Sequence, residues 1–327
     1  MSSPDRDQPI AHGDKPNHLI PLVVILGPTA VGKSNIAISL AERLNGEIVS
    51  ADSRLFYRSM DIGTDKPTSR DLLRVPHHLI DVSDPDEVWN LALFQREAVK
   101  AIESIYAKKR LPFLVGGTGQ FIRAIYEGWS IPKVKPSHNL RRVLEIWSQQ
   151  IGATGLHARL AVLDGPAAAG IEPTNVRRTI RALEVILSTG KRFSDQKQRG
   201  DRLYKSLLLG LTRPRNELYA RIDERINQMV NSGFIDEVRR LLESGYSPDL
   251  PTMSAIGYGE IVAYLHEEIS LDEAIRLMKQ RTRVYVRRQA NWFKENDPDI
   301  HWFRVHENTV DEMANTIQNW LLSINQG

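Results

Sequence analysis

The sequence predicts an α/β protein: a parallel sheet with helices on both faces, interrupted by a helical insertion. Three observations lead there. Short apolar runs alternate with helical stripes up to residue 128 and resume after residue 201. The first run meets the first stripe at an octapeptide of the form G-x-x-x-x-G-K-S, Gly27 to Ser34. Between residues 129 and 200 helical periodicity continues and strand patterns fade.

Leu19–Leu26 is continuously apolar and stops at Gly27, as a strand buried on both faces does. Ile36, Ala37, Leu40, Ala41 and Leu44 then recur with helical spacing from Lys33 onward, until Gly46. Glu47–Ala51 is a second short strand, so the chain opens with a βαβ unit around a P-loop. His78–Val82 reads as a strand, Leu91–Lys109 as a helix, Leu111–Val115 as a strand stopped by Gly116-Gly117, and Gln120–Glu127 as a helix. Breaks at Pro132, Pro136, Gly165-Pro166 and Pro173 cut the insertion into helices. "SLLLGL", Ser206–Leu211, returns to the sheet. Helices are expected over 215–231, 234–244, 255–266, 271–295 and 309–325, with a last strand at His301–Val305. The division that follows is a disordered tail over 1–18, a core formed by 19–128 with 201–327, and an insertion domain over 129–200.

The chain of 327 residues carries a formal net charge of +3 and has 41% hydrophobic and 25% charged residues, ordinary for a globular protein. It has no cysteine, which excludes disulfides, thiolate metal sites and a cysteine nucleophile. The first 18 residues are polar without an apolar core, so no signal peptide is expected there, and no apolar run approaches a membrane span. A cytoplasmic protein fits.

The octapeptide carries the first chemistry. Its glycines let the backbone wrap an anion, and the N–H groups of Thr29, Ala30, Val31 and the helix start point inward. Lys33 adds charge and the Ser34 hydroxyl can hold Mg²⁺. Asp52 falls just past the second strand, and Thr118 just past the strand ending in Gly116-Gly117. In an open α/β sheet these strand ends share one edge. On residue type alone Asp52 is a turn residue, a Mg²⁺ ligand or a general base. Positive charge concentrates in 174–215, which includes Arg177, Arg178, Arg181, Lys191, Arg192, Lys197 and Arg199. It concentrates again in 276–294, where Arg276, Lys279, Arg281, Arg283, Arg287, Arg288 and Lys294 meet no acid. On one helix 276, 279, 283 and 287 form a stripe that can follow a phosphate backbone, with 271, 275, 278, 282 and 285 as the apolar face.

Several motifs in order make the pattern specific: GPTAVGKS, SADSRLFYRSMDIGTDKP, VPHHLIDVSDP, LPFLVGGTG, NVRRTIRALEVILSTGK, AIGYGEIVAYL and TRVYVRRQANWF. From about residue 22 to 295 the chain resembles the tRNA dimethylallyltransferase (tRNA isopentenyltransferase) family. The resemblance implies transfer of a dimethylallyl group from dimethylallyl diphosphate to N6 of the adenosine 3′ of the anticodon, position 37, with Mg²⁺ and with diphosphate released. It implies that Gly27, Thr29, Ala30, Val31, Gly32, Lys33 and Ser34, with Arg221 and Arg225, hold the diphosphate. Asp52 would take or orient the N6 proton, and Thr118 would hold a diphosphate oxygen. The anticodon stem-loop would meet Ser53, Arg54, Leu55, Arg141, Arg177, Arg178, Arg181, Arg287, Arg288, Gln289 and Lys294. Ser254 and Gly259 lack the positive charge that many family members carry near the Ile-Gly-Tyr motif. A monomer is expected. The alternatives are an adenylate dimethylallyltransferase, which would have little use for the insertion, and a P-loop nucleotide kinase.

Overall fold

The computed structural model describes residues 19–131, 137–196 and 203–326; the expected tail, Lys197 and Arg199 lie outside them. The chain opens with β1 (Ile20–Leu26), α1 (Lys33–Arg43) and β2 (Gly46–Ser50), then α2 (Ser69–Arg74) and β3 (His77–His78). Next come α3 (Leu91–Ala107), β4 (Leu111–Gly116) and α4 (Gly119–Tyr126). The helical stretch holds α5 (His138–Leu163), α6 (Gly165–Ala169), α7 (Val176–Thr189) and α8 (Phe193–Gln196). The remaining elements are β5 (Tyr204–Thr212), α9 (Arg215–Asn231), α10 (Phe234–Glu243), α11 (Tyr258–Leu265), α12 (Leu271–Gln289), β6 (Ile300–Arg304) and α13 (Thr309–Asn325).

The six strands pair in parallel in the order β3-β2-β4-β1-β5-β6. Leu22 to Leu26 of β1 are fully buried, because α1, α13 and α3 cover the sheet. Parallel strands need such cover on both faces, and that is why they appear in the sequence as unbroken apolar runs. The order sets the site. β4 inserts between β1 and β2, so connections leave in opposite directions at the β4/β1 boundary and open a crevice at the strand ends. The segments that follow β2, β4 and β1 are therefore neighbours.

The helical stretch has a hydrophobic cluster of its own, with Leu144, Leu156, Leu160, Ile180 and Leu183 at its centre. α5 is broken at Gly152, which has φ 77° and ψ 163°.

Three expected elements differ. The strand over His78–Val82 shortens to His77–His78, because Leu79 and Asp81 adopt left-handed φ of 62° and 54°. The chain then turns to the 55–57 segment, where Asp81 and Val82 N–H donate to Leu55 and Phe56 carbonyls. The helix over 255–266 starts only at Tyr258, because Gly257 has φ 100° and its N–H is capped by Glu260 at 2.7 Å. The helix over 271–295 ends at Gln289, and a turn follows in which Trp292 N–H donates to the Gln289 carbonyl.

Candidate active site

The phosphate loop is held open from outside. Arg213 Nε donates to the Val31 carbonyl at 3.0 Å, and Arg221 Nε to the Ala30 carbonyl at 2.8 Å. Lys33 Nζ folds onto the Pro28 carbonyl at 2.8 Å. Gly32 has φ 107°, a left-handed conformation open to glycine, and it turns the chain directly into α1. No side chain caps α1 and no acid lies in its first turn, so its first N–H groups and their partial positive charge face the loop. Ser34 sits there, exposed. Thr29 differs from expectation: its N–H is taken by Gln289 Oε1 at 2.9 Å.

Gln289 is the main reassignment. It was expected at the RNA, but it is buried, and its Nε2 also donates to the Gly117 carbonyl at 3.0 Å. One side chain from α12 thus joins the loop after β1 to the turn after β4. A Cβ at Gly117 would lie 2.4 Å from Gln289 Nε2, so this approach requires glycine.

Asp52 follows β2 directly, beside β4, since Ala51 N–H donates to the Val115 carbonyl at 2.7 Å. Its Oδ1 accepts the Arg54 N–H at 3.0 Å, a local turn bond that fixes the carboxylate. Its other oxygen has no partner among the described residues, and Asp52 keeps partial exposure. Thr118 precedes α4, and its hydroxyl is buried with no hydrogen-bond partner. A buried polar atom without a partner calls for one, from a ligand or a water.

Tyr285 was placed on the apolar face of α12. Instead it is 38% exposed, with its hydroxyl end enclosed beside Asp52, Thr118 and Gln289. Burial, reinforced by the Asp52 charge, pushes its phenol up to about 12. It therefore stays an O–H donor at neutral pH.

Burial pushes the Lys33 ammonium down to about 8. Asp52 and Asp65 draw it up and Arg225 pushes it further down, so these three charges all act on the Lys33 ammonium. An anion beside Lys33 favours its protonated form, and that gain disappears as pH rises through about 8. Inorganic diphosphate affinity is expected to fall by about tenfold per pH unit above that point, beyond the ligand's own titration. Calorimetric titrations between pH 7 and 10 check this, and Lys33→Arg should lose the extra slope.

The expected RNA contacts divide into two groups. Arg141 grips the buried Glu184 with two bonds of 2.9 Å, and Arg181 adds one of 2.6 Å. These guanidinium groups hold the helical stretch together, and about a third of each remains exposed. Arg177 and Arg178 are exposed at the start of α7. On α12 three cations do meet acids, from elsewhere in the chain or one turn back. Arg276 pairs with Glu273, Arg281 with Glu260 at 2.7 Å, and Arg283 with Asp223. Lys279, Arg287, Arg288 and Lys294 have no carboxylate partner among the described residues, so the cationic stripe narrows to its C-terminal end. Ser53, Arg54 and Leu55 are half-buried just after Asp52.

A family model described as IPP transferase matches residues 55–296. A tRNA dimethylallyltransferase of Roseiflexus sp. (strain RS-1) is 49% identical over 304 residues, covering 93% of this chain and 99% of the relative. One of Thermomicrobium roseum is 50% identical over 285 residues, 87% of this chain and 86% of the relative. The full-length tRNA isopentenylpyrophosphate transferase of Bacillus halodurans superposes with a TM-score of 0.70 at 41% identity, over 94% of this chain and 98% of that one. A eukaryotic dimethylallyltransferase acting on tRNA superposes at 0.79 with 28% identity, over 93% of this chain and 80% of that one. With the loop, carboxylate and orphan hydroxyl at one sheet edge, these likenesses place the chain in the IPP transferase family of tRNA dimethylallyltransferases.

Proposed function

We propose that the chain transfers a dimethylallyl group from dimethylallyl diphosphate to N6 of adenosine 37 in tRNA and releases diphosphate. One observation carries the reading: an anion cradle, a carboxylate and an unpartnered hydroxyl share the crevice at the ends of β1, β2 and β4. The bond that breaks joins the allylic carbon to the diphosphate oxygen, and the bond that forms joins that carbon to N6. The leaving electron pair stays on diphosphate. Lys33, the loop N–H groups that have no protein acceptor and the α1 terminus face this growing negative charge, and Arg221 and Arg225 flank it. Asp52 takes the N6 proton as the amine becomes ammonium-like. Thr118 donates its free hydroxyl to a diphosphate oxygen.

Among the described residues no group of three or more His, Asp or Glu converges to hold a metal. The exposed Ser34 hydroxyl at the loop's end fits Mg²⁺, which keeps several waters and binds phosphate oxygens with one or two protein groups. Ser34 is the residue that would hold it, and the ion would neutralise diphosphate charge.

The exposed cations at Arg177, Arg178, Arg287, Arg288 and Lys294 follow the tRNA backbone, and the insertion over 129–200 serves as a separate domain that contributes the first two of them. The target base must leave its stack to reach the crevice. The chain acts as a monomer in the cytoplasm on this reading. Incubation with labelled dimethylallyl diphosphate and tRNA lacking the modification tests it. Label should appear at adenosine 37 with release of inorganic diphosphate. No label on the tRNA, or faster transfer to free AMP, overturns it.

The double variant Arg287→Gln/Arg288→Gln should weaken tRNA binding and reduce the slope of log affinity against log salt by about 1–2 units. Filter binding between 50 and 300 mM salt, on the order of the usual working range, reads both effects.

A further inference from the structure

We infer that Asp65 is an internal counter-ion of the diphosphate site, a carboxylate that competes with diphosphate for Arg225. The inference rests on the placement of diphosphate proposed above.

Arg225 lies one helical turn beyond Arg221 on α9, and Arg221 contacts the phosphate loop directly through the Ala30 carbonyl. Residues four apart share a helix face, so both guanidinium groups flank the loop. Asp65 Oδ2 lies 3.5 Å from Arg225 Nε. Asp65 itself has no role in the chemistry described, and a carboxylate beside an anion site opposes the anion in two ways. It repels the ligand, and it occupies a cation the ligand needs.

The position of Asp65 is built. Glu237, buried on α10, accepts the N–H groups of Asp61, Ile62 and Gly63 at 2.9, 2.7 and 3.2 Å. On the other side Lys66, whose side chain is only 6% exposed, donates to the Tyr57 carbonyl and pairs with Asp61 and Asp81. Asp65 sits between these anchors with φ 57°. Its backbone is fixed and its carboxylate is directed outward at 61% exposure, where Arg225 meets it. Asp65 and Arg225 act on Lys33 in opposite directions, so both charges lie near the phosphate-loop lysine.

The consequence is looser diphosphate binding and faster product release than the cations alone would give. Asp65→Asn keeps the shape, and asparagine tolerates the left-handed backbone at least as well. Calorimetry with inorganic diphosphate should show about two- to fivefold tighter binding in Asp65→Asn, the size expected for a part-exposed ion pair. The gain should shrink at high salt and in an Arg225→Gln background. A loop residue with a merely structural role would weaken binding when changed, so the sign decides. Equal or weaker binding in Asp65→Asn overturns the counter-ion role, provided Lys33→Ala weakens binding. If Lys33→Ala binds like wild type, the placement of diphosphate is wrong and the inference falls with it.

Discussion

Asp52→Ala should slow prenyl transfer by about 10²–10⁴-fold while leaving inorganic diphosphate affinity within about twofold. The size follows from the work assigned to one group. N6 of adenine is a poor nucleophile whose lone pair is delocalised into the ring, and its attack creates a cationic nitrogen that must lose a proton. The Asp52 carboxylate has one oxygen fixed by the Arg54 N–H and the other without a protein partner, so it is aimed before substrate arrives. The twofold limit on diphosphate follows from the division of labour: Asp52 follows β2, and the anion cradle follows β1. Removing Asp52 relieves a repulsion on the anion but also removes a charge that helps keep Lys33 protonated, so the two effects oppose each other. Single-turnover kinetics with saturating tRNA separates the chemical step from binding. An Asp52→Ala enzyme with unchanged chemistry, or one that lost diphosphate affinity in proportion to rate, would move the proton-accepting role elsewhere.

Much of the fold could be read directly because its strands are buried on both faces. β1 and β4 are unbroken apolar runs, and each ends at the glycine that starts a functional turn. The positions of the phosphate loop, Asp52 and Thr118 at strand ends were legible for the same reason, since each is one or a few residues past such a strand. What escaped depends on contacts between residues far apart in the chain. The 276–294 segment contains no acid, yet Arg283 finds Asp223 sixty residues earlier and Arg281 finds Glu260. Local charge counting cannot register either pair. Gln289, next to two exposed arginines, looks like a nucleic-acid contact, but its partners Thr29 and Gly117 come from the N-terminal half of the chain. Tyr285 precedes Gln289 by four residues and therefore shares its face toward the site. Periodicity assigns an aromatic at that spacing to the core, because it identifies a buried face without identifying a face turned to a crevice.

Glu237→Ala should destabilise the protein by about 3 kcal/mol, with a lower denaturation midpoint at unchanged slope. Both carboxylate oxygens are occupied by donors: Oε2 by Asp61 and Ile62 N–H, Oε1 by Gly63 N–H and the Tyr258 hydroxyl at 2.7 Å. Tyr258 is fully buried, and burial together with the neighbouring Glu237 charge pushes its phenol far up, so it remains a donor. Truncation leaves four donors without their acceptor. The Tyr258 hydroxyl has no route to bulk water, whereas the loop amides are half-exposed and recover part of the loss, which keeps the total near 3 kcal/mol rather than several times that. Glu237→Gln is the discriminating variant. Its oxygen can serve Asp61 and Ile62, and its amide can donate to a rotated Tyr258 hydroxyl, so the long Gly63 bond and the Tyr258 O–H are left without their acceptor while the hydroxyl oxygen gains a donor. Its cost should be about 1 kcal/mol. If the carboxylate only filled space, the two variants would differ by packing alone and Tyr258→Phe would be neutral in both backgrounds. If it organises the loop, Tyr258→Phe should destabilise the wild type and have little effect in Glu237→Ala, because the hydroxyl no longer has the carboxylate to meet. The same variants loosen the segment that carries Asp65, so any change in diphosphate affinity should accompany loss of loop order. Amide exchange at residues 61–63 should then speed up in Glu237→Ala, with the protection of β1 and β4 falling only by the global loss of stability.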